Sequence, residues 1–344
     1  MFDSRENPPE TLYLSIPASD ICNFRCRHCH IWLQEVRANP LPRARRLDLV
    51  AEFAHLNPQG TVVVPGGEVT LNLEELYAVA SACKKFGLGC VVVSNGSRIR
   101  NAQEARRLAE SGVTLCAVSL DSHLPEIHNF IRGLPSAFDD AIRAIRLLAE
   151  ASAATGGRFR AIVATVVCKR NLSLLRDLVD FVRGLGAANL DLQILAKTFA
   201  NANPARDPFF AENFWHTYEE KEEAKRAFRA FLAGSATDGG FVVKKSSDLP
   251  WIESYIDDPD FQTAIPVCGS HYSNLIVNVE GDAALCFNTK SILDQPYVGN
   301  AGQQSLAELW SGTKAAHDRD VMEVCRLNCG ALNCHRRRSQ AASA

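Results

Sequence analysis

The sequence predicts an α/β protein: a partial (βα)6 barrel of the TIM type, followed by a small C-terminal domain built on a β-hairpin and a helix. Three observations carry this prediction. Strand-like and helix-like stretches alternate through the first two-thirds of the chain, polar or glycine-rich clusters fall just after successive strands, and the alternation stops near Ala196.

The strand-like runs are Thr11 to Ile16, Thr61 to Val64, Cys90 to Val93, Val113 to Leu120, Arg160 to Val167 and Leu190 to Leu195. Amphipathic stretches of helical length separate them: Arg43 to Leu56, Leu73 to Phe86, Ala102 to Glu110, Ala137 to Ala151 and Leu172 to Leu185. Asn72 stands where a helix cap belongs, and Asn101 with Glu104 has capping-box spacing. Repeated βα units force parallel strands and right-handed crossovers, which permits a partial barrel or an open sheet. The unusual residues decide between them. Cys22 to Cys29, Pro65-Gly66-Gly67-Glu68, Ser94-Asn95-Gly96, Ser119 with Asp121, and Cys168 to Asn171 follow or end the first five strands, and Gln193 lies in the sixth. Active groups gathered at the C-terminal ends of successive strands are the barrel pattern, because all βα loops open on one face.

Composition bounds the function. The chain has 344 residues, 47% of them hydrophobic and 22% charged, which suits one large globular domain plus a smaller one. A formal net charge of −2 gives nothing to steer it towards nucleic acid or an anionic membrane. The basic run Arg336 to Arg338 reads as a solvated tail. With no leader pattern and no apolar stretch of about 18 residues, a cytoplasmic protein is expected. The 12 cysteines then read as metal ligands and buried thiols rather than disulfides.

Three of those cysteines stand in Cys22-Asn-Phe-Arg-Cys26-Arg-His-Cys29. Thiolates this dense suit an iron–sulfur cluster, or zinc with His28 or His30 as a further ligand. The other clusters have plain readings: Gly66-Gly67 and Ser94-Asn95-Gly96 as turns, Glu68 as a solvated side chain, His123 and His128 as loop or helix-start residues. Cys83, Cys90 and Cys116 read as core thiols. Cys168 ends the fifth strand on the active face; it reads as a buried thiol, with hydrogen-atom donation as its functional alternative.

Beyond Ala196, Asn201 to Pro208 reads as loop, Phe214 to Phe231 as a helix and Gly234 to Gly240 as a turn. Aromatic residues Phe209, Phe210, Trp215 and Tyr218 suit a substrate cleft or simple packing. The predicted organisation is therefore barrel at 1–195, bridge at 196–267 and C-terminal domain at 268–344. In that domain Ile276 to Val279 and Ala283 to Phe287 flank Glu280-Gly281-Asp282 as a hairpin. A helix from Leu306 to Trp310 leads to Cys325, Cys329 and Cys334, which with Cys268 and Cys286 make five cysteines in a region small enough to need a metal staple.

The Cys22–Cys29 run resembles the signature of the radical S-adenosylmethionine (radical SAM) superfamily. That resemblance implies a [4Fe-4S] cluster whose open iron chelates SAM, reductive cleavage of SAM to a 5′-deoxyadenosyl radical, and hydrogen abstraction from a substrate. It also implies that His28 stands beside the adenine and that Gly66, Gly67 and Glu68 hold the SAM amino group. Asn95 would contact SAM, Ser119, Asp121 and Arg132 its ribose and carboxylate, and Gln193 is counted with them. Cys268, Gly281, Cys286 and the terminal cysteines are similar to a SPASM or twitch extension, implying an auxiliary [4Fe-4S] cluster. The full SPASM pattern has seven cysteines and this chain has five, so one auxiliary cluster with one spare thiol is expected. Relatives of this kind act on ribosomally made peptides, by oxidation, cross-linking or epimerisation, or on small natural products such as aminosugars. A low-potential donor such as flavodoxin or ferredoxin is the expected electron partner. Ten residues precede Thr11, so no fused leader-peptide-binding domain is expected; this lowers the peptide reading but leaves it open, because such a domain can be a separate chain. A non-catalytic iron–sulfur or zinc protein is the alternative of another class, with no use for SAM.

Overall fold

The structure is a computed structural model, and it describes residues 7–196, 207–235, 238–244 and 246–334. Arg336 to Arg338 and most of the loop expected from Asn201 to Pro208 lie outside them. Six parallel strands form the barrel wall: β1 (Thr11–Leu14), β2 (Thr61–Val64), β3 (Gly89–Ser94), β4 (Leu115–Ser119), β5 (Arg160–Val167) and β6 (Leu190–Ile194). The period-two pattern explains the layers. Leu12, Leu14, Val62, Val64, Cys90, Val92, Cys116, Val118 and Val163 are buried under the helices, while alternate positions such as Tyr13, Val91 and Gln193 are less covered. Val93 is 46% exposed on that inner side, so the barrel interior is open rather than filled.

The outer layer is α1 (Arg43–Leu56), α2 (Leu73–Phe86), α3 (Ala102–Glu110), α4 (Pro125–Arg132), α5 (Ala137–Ala154) and α6 (Leu175–Gly184). Asn72 Oδ1 accepts from the Glu75 backbone N–H at 3.3 Å, and Asn101 Oδ1 from that of Glu104 at 3.0 Å, so both predicted caps form. The Glu104 carboxylate turns to the Arg100 N–H instead of completing the box. The sequence pattern gave no helix between β4 and α5, yet α4 is there. Its signals were Pro125 at the first turn and Gly133 as a left-handed cap at φ 66°. The helix expected from Phe214 to Phe231 starts late, running Lys221–Ser235, because Thr217 and Glu220 form a capping box ahead of it; a separate short helix, Asp207–Asn213, ends before Phe214.

The hairpin forms as expected, with β7 (Asn274–Val277) antiparallel to β8 (Asp282–Ala284) and Gly281 at φ 95° in the turn. It is not a separate sheet. β7 pairs in parallel with β1, from Thr11↔Asn274 to Leu14↔Val277, giving the strand order β6-β5-β4-β3-β2-β1-β7-β8-β9, where β9 is Gly299–Asn300. The physical reason is the exposed β1 edge of an open barrel, which β7 covers. At the other edge, Val242 bridges to Leu190. Asn333 closes the structure by exchanging two hydrogen bonds with the Ile194 backbone, at 2.8 and 2.6 Å, which brings the terminal cysteines to the end of β6. Among the described residues no helix is long and apolar enough to cross a membrane.

Candidate functional site

The Cys22–Cys29 segment carries no helix or strand, so its shape comes from its neighbours. Asn23 Oδ1 accepts from Asn95 Nδ2, and Asn23 Nδ2 donates to Ser97 Oγ, both at 2.9 Å. Trp32 Nε1 donates to the Cys26 carbonyl at 3.0 Å, and Phe24 is buried behind the loop. Two sulfurs receive backbone N–H groups: Cys22 Sγ from Phe24 and Cys29 Sγ from Ile31, each at 3.4 Å. Burial pushes the Cys22 thiol up and the Cys26 thiol to about 12, the latter against the opposing pull of Arg132. Left alone these thiols stay protonated; a bound metal is what deprotonates them.

The glycine motif binds the chain itself. Gly66 has φ 139° and a Cβ there would stand 2.3 Å from Ser19 Cα; on Gly67 it would stand 2.1 Å from the Ile21 carbonyl. Gly67 N–H donates to Ser19 O at 2.7 Å and Glu68 N–H to Ile21 O at 2.8 Å, which welds this loop to the residues before Cys22. The Glu68 carboxylate is fully buried and accepts from Thr70 N–H (3.1 Å), Ser94 Oγ (2.8 Å) and Asn95 N–H (2.6 Å), as well as from the Thr70 hydroxyl. Burial raises its pKa while those four donors oppose the rise. The side chains expected on the SAM amino group and beside it, Glu68 and Asn95, thus have structural partners, and the exposed part of this loop is the Gly66 backbone.

Asp121 and Arg132 are brought together as a buried ion pair, Nε to Oδ2 at 2.6 Å and Nη2 to Oδ1 at 2.7 Å. Burial works against charge on Asp121, but Arg132, then His128, hold it below the usual carboxylate range. His128 is itself buried mid-helix, where its Nδ1 accepts from the Asp121 N–H at 3.0 Å. His28 is close enough to add to the field on Asp121. Ser119 is buried at the end of β4, and Gln193 Nε2 donates to Asp191 Oδ2 at 2.5 Å on the inner side of β6. Asp191 escaped the sequence reading, although its alternation with Leu190 and Leu192 was the available signal. Cys168, considered as a hydrogen-atom donor, is closed off. It is fully buried with Ile131, Leu195, Phe210 and Phe214, and burial pushes its thiol to about 12.

The five C-terminal thiols also come together. Asn288 is shared, its N–H donating to Cys286 Sγ at 3.3 Å and its Nδ2 to Cys329 Sγ at 3.4 Å. Ser270 N–H reaches Cys268 Sγ at 3.5 Å, and a Cβ on Gly330 would stand 2.8 Å from Cys268 Cβ. The free Cys334 thiol is hydrogen-bonded with Cys329, which, with burial, raises its pKa, and it also feels Cys268 and Cys286. Cys325 is half-exposed beside Cys329. Among the described residues no three His, Cys, Asp or Glu side chains are arranged around a single metal ion. A four-iron cluster instead takes one thiolate per iron, and sulfur-directed N–H donors suit it. Tyr13, also missed in the sequence, reaches from β1 towards this group. Its ring meets that of Phe287 edge-on at 4.9 Å, and Cys334 lies within its electrostatic reach.

Two family models cover the segments that carry most of these cysteines. Residues 16–182 match the model of the radical SAM superfamily, and 268–330 match SPASM, an iron–sulfur cluster-binding domain. The chain is a radical SAM protein with a C-terminal SPASM domain. These domains use SAM and [4Fe-4S] clusters, and the donor sets above fit them. An AdoMet-dependent heme synthase of Oleidesulfovibrio alaskensis is 29% identical over 60% of this chain and 54% of its own length. One from Methanosarcina barkeri is 23% identical over 94% of this chain and 88% of its own. The chain spans about half the length of the first two curated relatives it matches. Among solved structures, Streptococcus suis SuiB bound to its precursor peptide SuiA has a TM-score of 0.66 at 15% identity, covering 92% of this chain and 71% of that one; the likeness is one of fold.

Proposed function

We propose that this radical SAM protein is an oxidoreductase in which Cys22, Cys26 and Cys29 hold the SAM-binding [4Fe-4S] cluster, while Cys268, Cys286, Cys329 and Cys334 hold one auxiliary [4Fe-4S] cluster. The observation that carries this is the unequal thiol supply: three in the first site, so one iron is open, and five in the second, so none need be. When bound, the first cluster and SAM supply a 5′-deoxyadenosyl radical that abstracts a hydrogen atom from a substrate C–H bond. The chain's own residues orient that bond. The rings of Tyr13 and Phe287 meet edge-on beside the auxiliary cysteines, and the Asp191–Gln193 pair offers a polar anchor in the lumen. A low-potential flavodoxin or ferredoxin would deliver the electron that cleaves SAM, and Cys268, Cys286, Cys329 and Cys334 would hold a cluster able to take up the electron released when the substrate radical is oxidised.

The substrate we infer is a ribosomally made peptide, consistent with the fold shared with SuiB and with an open lumen. A second reading, a tetrapyrrole, is favoured by the heme synthase relatives, one of which aligns along almost the whole chain. Anaerobic incubation with SAM, dithionite, precursor peptides and iron porphyrins, in ordinary and deuterated water, tests both by mass spectrometry. Loss of two hydrogens means oxidation; solvent deuterium gained without other change means epimerisation. Absence of 5′-deoxyadenosine in every mixture would overturn the reading.

A further inference from the structure

The Cys22–Cys29 loop is clamped from behind by α4. The helix ends against the loop: Arg27 N–H donates to the Ile131 carbonyl at 2.8 Å, and a Cβ on Gly133 would stand 2.1 Å from the Arg25 carbonyl. These two backbone contacts bracket Cys26 on one strand of chain and Arg132 on the other. The Arg132 guanidinium therefore arrives at the Cys26 sulfur, with which it interacts. Its far side is held by Asp121, which is fully buried. Asp121 is fixed in turn by three elements: Oδ1 accepts from Val166 N–H at 2.9 Å, its own N–H donates to His128 Nδ1 at 3.0 Å, and its carbonyl accepts from Asn171 Nδ2 at 2.7 Å. Burying such a pair is costly, and apolar packing would close the same space at less cost. Its retention points to a use for the charge.

We propose that Arg132, positioned by Asp121, donates to the Cys26 sulfur and sets the reduction potential of the cluster held by Cys22, Cys26 and Cys29. The inference rests on the radical SAM reading and adds a role for this pair. Hydrogen bonds to cluster sulfurs and nearby net charge are the protein's levers on potential. A cation beside a ligand sulfur favours the reduced state, which carries one more negative charge. Asp121 partly cancels that cation. Removing one end of the pair therefore moves the potential opposite to removing the other. Reduction here adds one electron from the external reductant, and no bond in the protein forms or breaks.

The experiment is a redox titration of the anaerobically reconstituted full chain without SAM, followed by electron paramagnetic resonance, with iron counted beforehand. The auxiliary cluster of the same molecule is the internal reference. Arg132→Gln should make the first cluster harder to reduce, with the ratio of reduced to oxidised at fixed poise falling about tenfold, as for loss of a charge-assisted hydrogen bond; that is about 59 mV for one electron. Asp121→Asn should make it easier to reduce, and the auxiliary midpoint should not move. If Arg132→Gln fails to load the cluster, Arg132→Lys, which keeps the charge and loses the fork, should give a smaller fall beside the Asp121→Asn rise. Unchanged midpoints, or shifts of the same sign in both variants, overturn the inference. Failure of the parent chain to load a cluster on Cys22, Cys26 and Cys29 would instead overturn the radical SAM reading, so the two outcomes are distinguishable.

Discussion

The two cysteine sites are built by opposite means. At Cys22–Cys29 the ligands sit in one loop, and the rest of the fold holds that loop from outside through Gly67, Glu68, Asn95 and Gly133. At the C-terminal site the ligands come from Cys268 through Cys334, and the fold must gather them before any metal can bind. The first arrangement has partly accessible thiols and, with the three ligands proposed above, would leave one iron open. The second is more deeply covered, with Cys268, Cys286 and Cys329 buried. An open, externally braced site suits chemistry on a bound cofactor; a closed, gathered one suits electron storage and stapling of a small domain.

The sharpest way to break that comparison is to remove one thiol from each site. Cys26→Ala should abolish 5′-deoxyadenosine formation while the auxiliary iron stays, so that iron falls from about eight to about four per chain, from the stoichiometry of two four-iron clusters. Cys329→Ala should lose the other four and leave SAM cleavage without complete turnover. Should Cys26→Ala still cleave SAM at the parent rate, the open site has been misplaced. Within the C-terminal group Cys325 stands outermost, and Cys325→Ser should keep its iron; loss of about four irons would make Cys325 a ligand and Cys334 the spare.

The same contrast governs what the sequence could reveal. The Cys22–Cys29 spacing announces a cluster because all three ligands are local, and the βα alternation announces the barrel because period-two burial repeats in each strand. What escaped was long-range. Nothing near Gly67 says that its missing Cβ makes room for Ile21, and nothing near Thr11 says that Asn274 will pair beside it. Arg132 was expected, through the family resemblance, on the ribose and carboxylate of SAM, but its place against Cys26 depends on how α4 docks.

Glu68 gives a graded test of the bracing. Its carboxylate satisfies two backbone N–H groups, and a buried donor left without a partner costs about 1 to 3 kcal/mol. Glu68→Ala should then lower folding stability by about 3 kcal/mol in denaturant titrations of the reconstituted chain and release the N-terminal iron before the C-terminal iron. A variant with normal stability that binds SAM weakly would mean that the carboxylate serves the cofactor and the bracing lies elsewhere.

The smallest expected effect separates the sites by pH. Burial holds His128 neutral, lowering its pKa from 6.5 to about 4 against the pull of Asp121, with Arg132 favouring the neutral form too. A histidine depressed in the folded state binds its proton first in the unfolded chain, so its contribution to stability is whole above about pH 6.5 and is lost as pH falls towards 4. Between neutral pH and pH 5 the loss amounts to about 2 kcal/mol. His216 is also lowered to about 4, mainly by burial, and adds a similar acid slope. The informative quantity is thus the difference between parent and His128→Gln, whose side-chain oxygen can still accept from the Asp121 N–H. That variant should be less sensitive to acid in thermal unfolding, and at pH 5 it should hold its N-terminal iron longer than the parent does. Because His128 supports Asp121, and Asp121 supports Arg132 behind Cys26, acid should free the first cluster ahead of the auxiliary one. Equal loss from both sites would show that the brace behind Cys26 is not what acid weakens first.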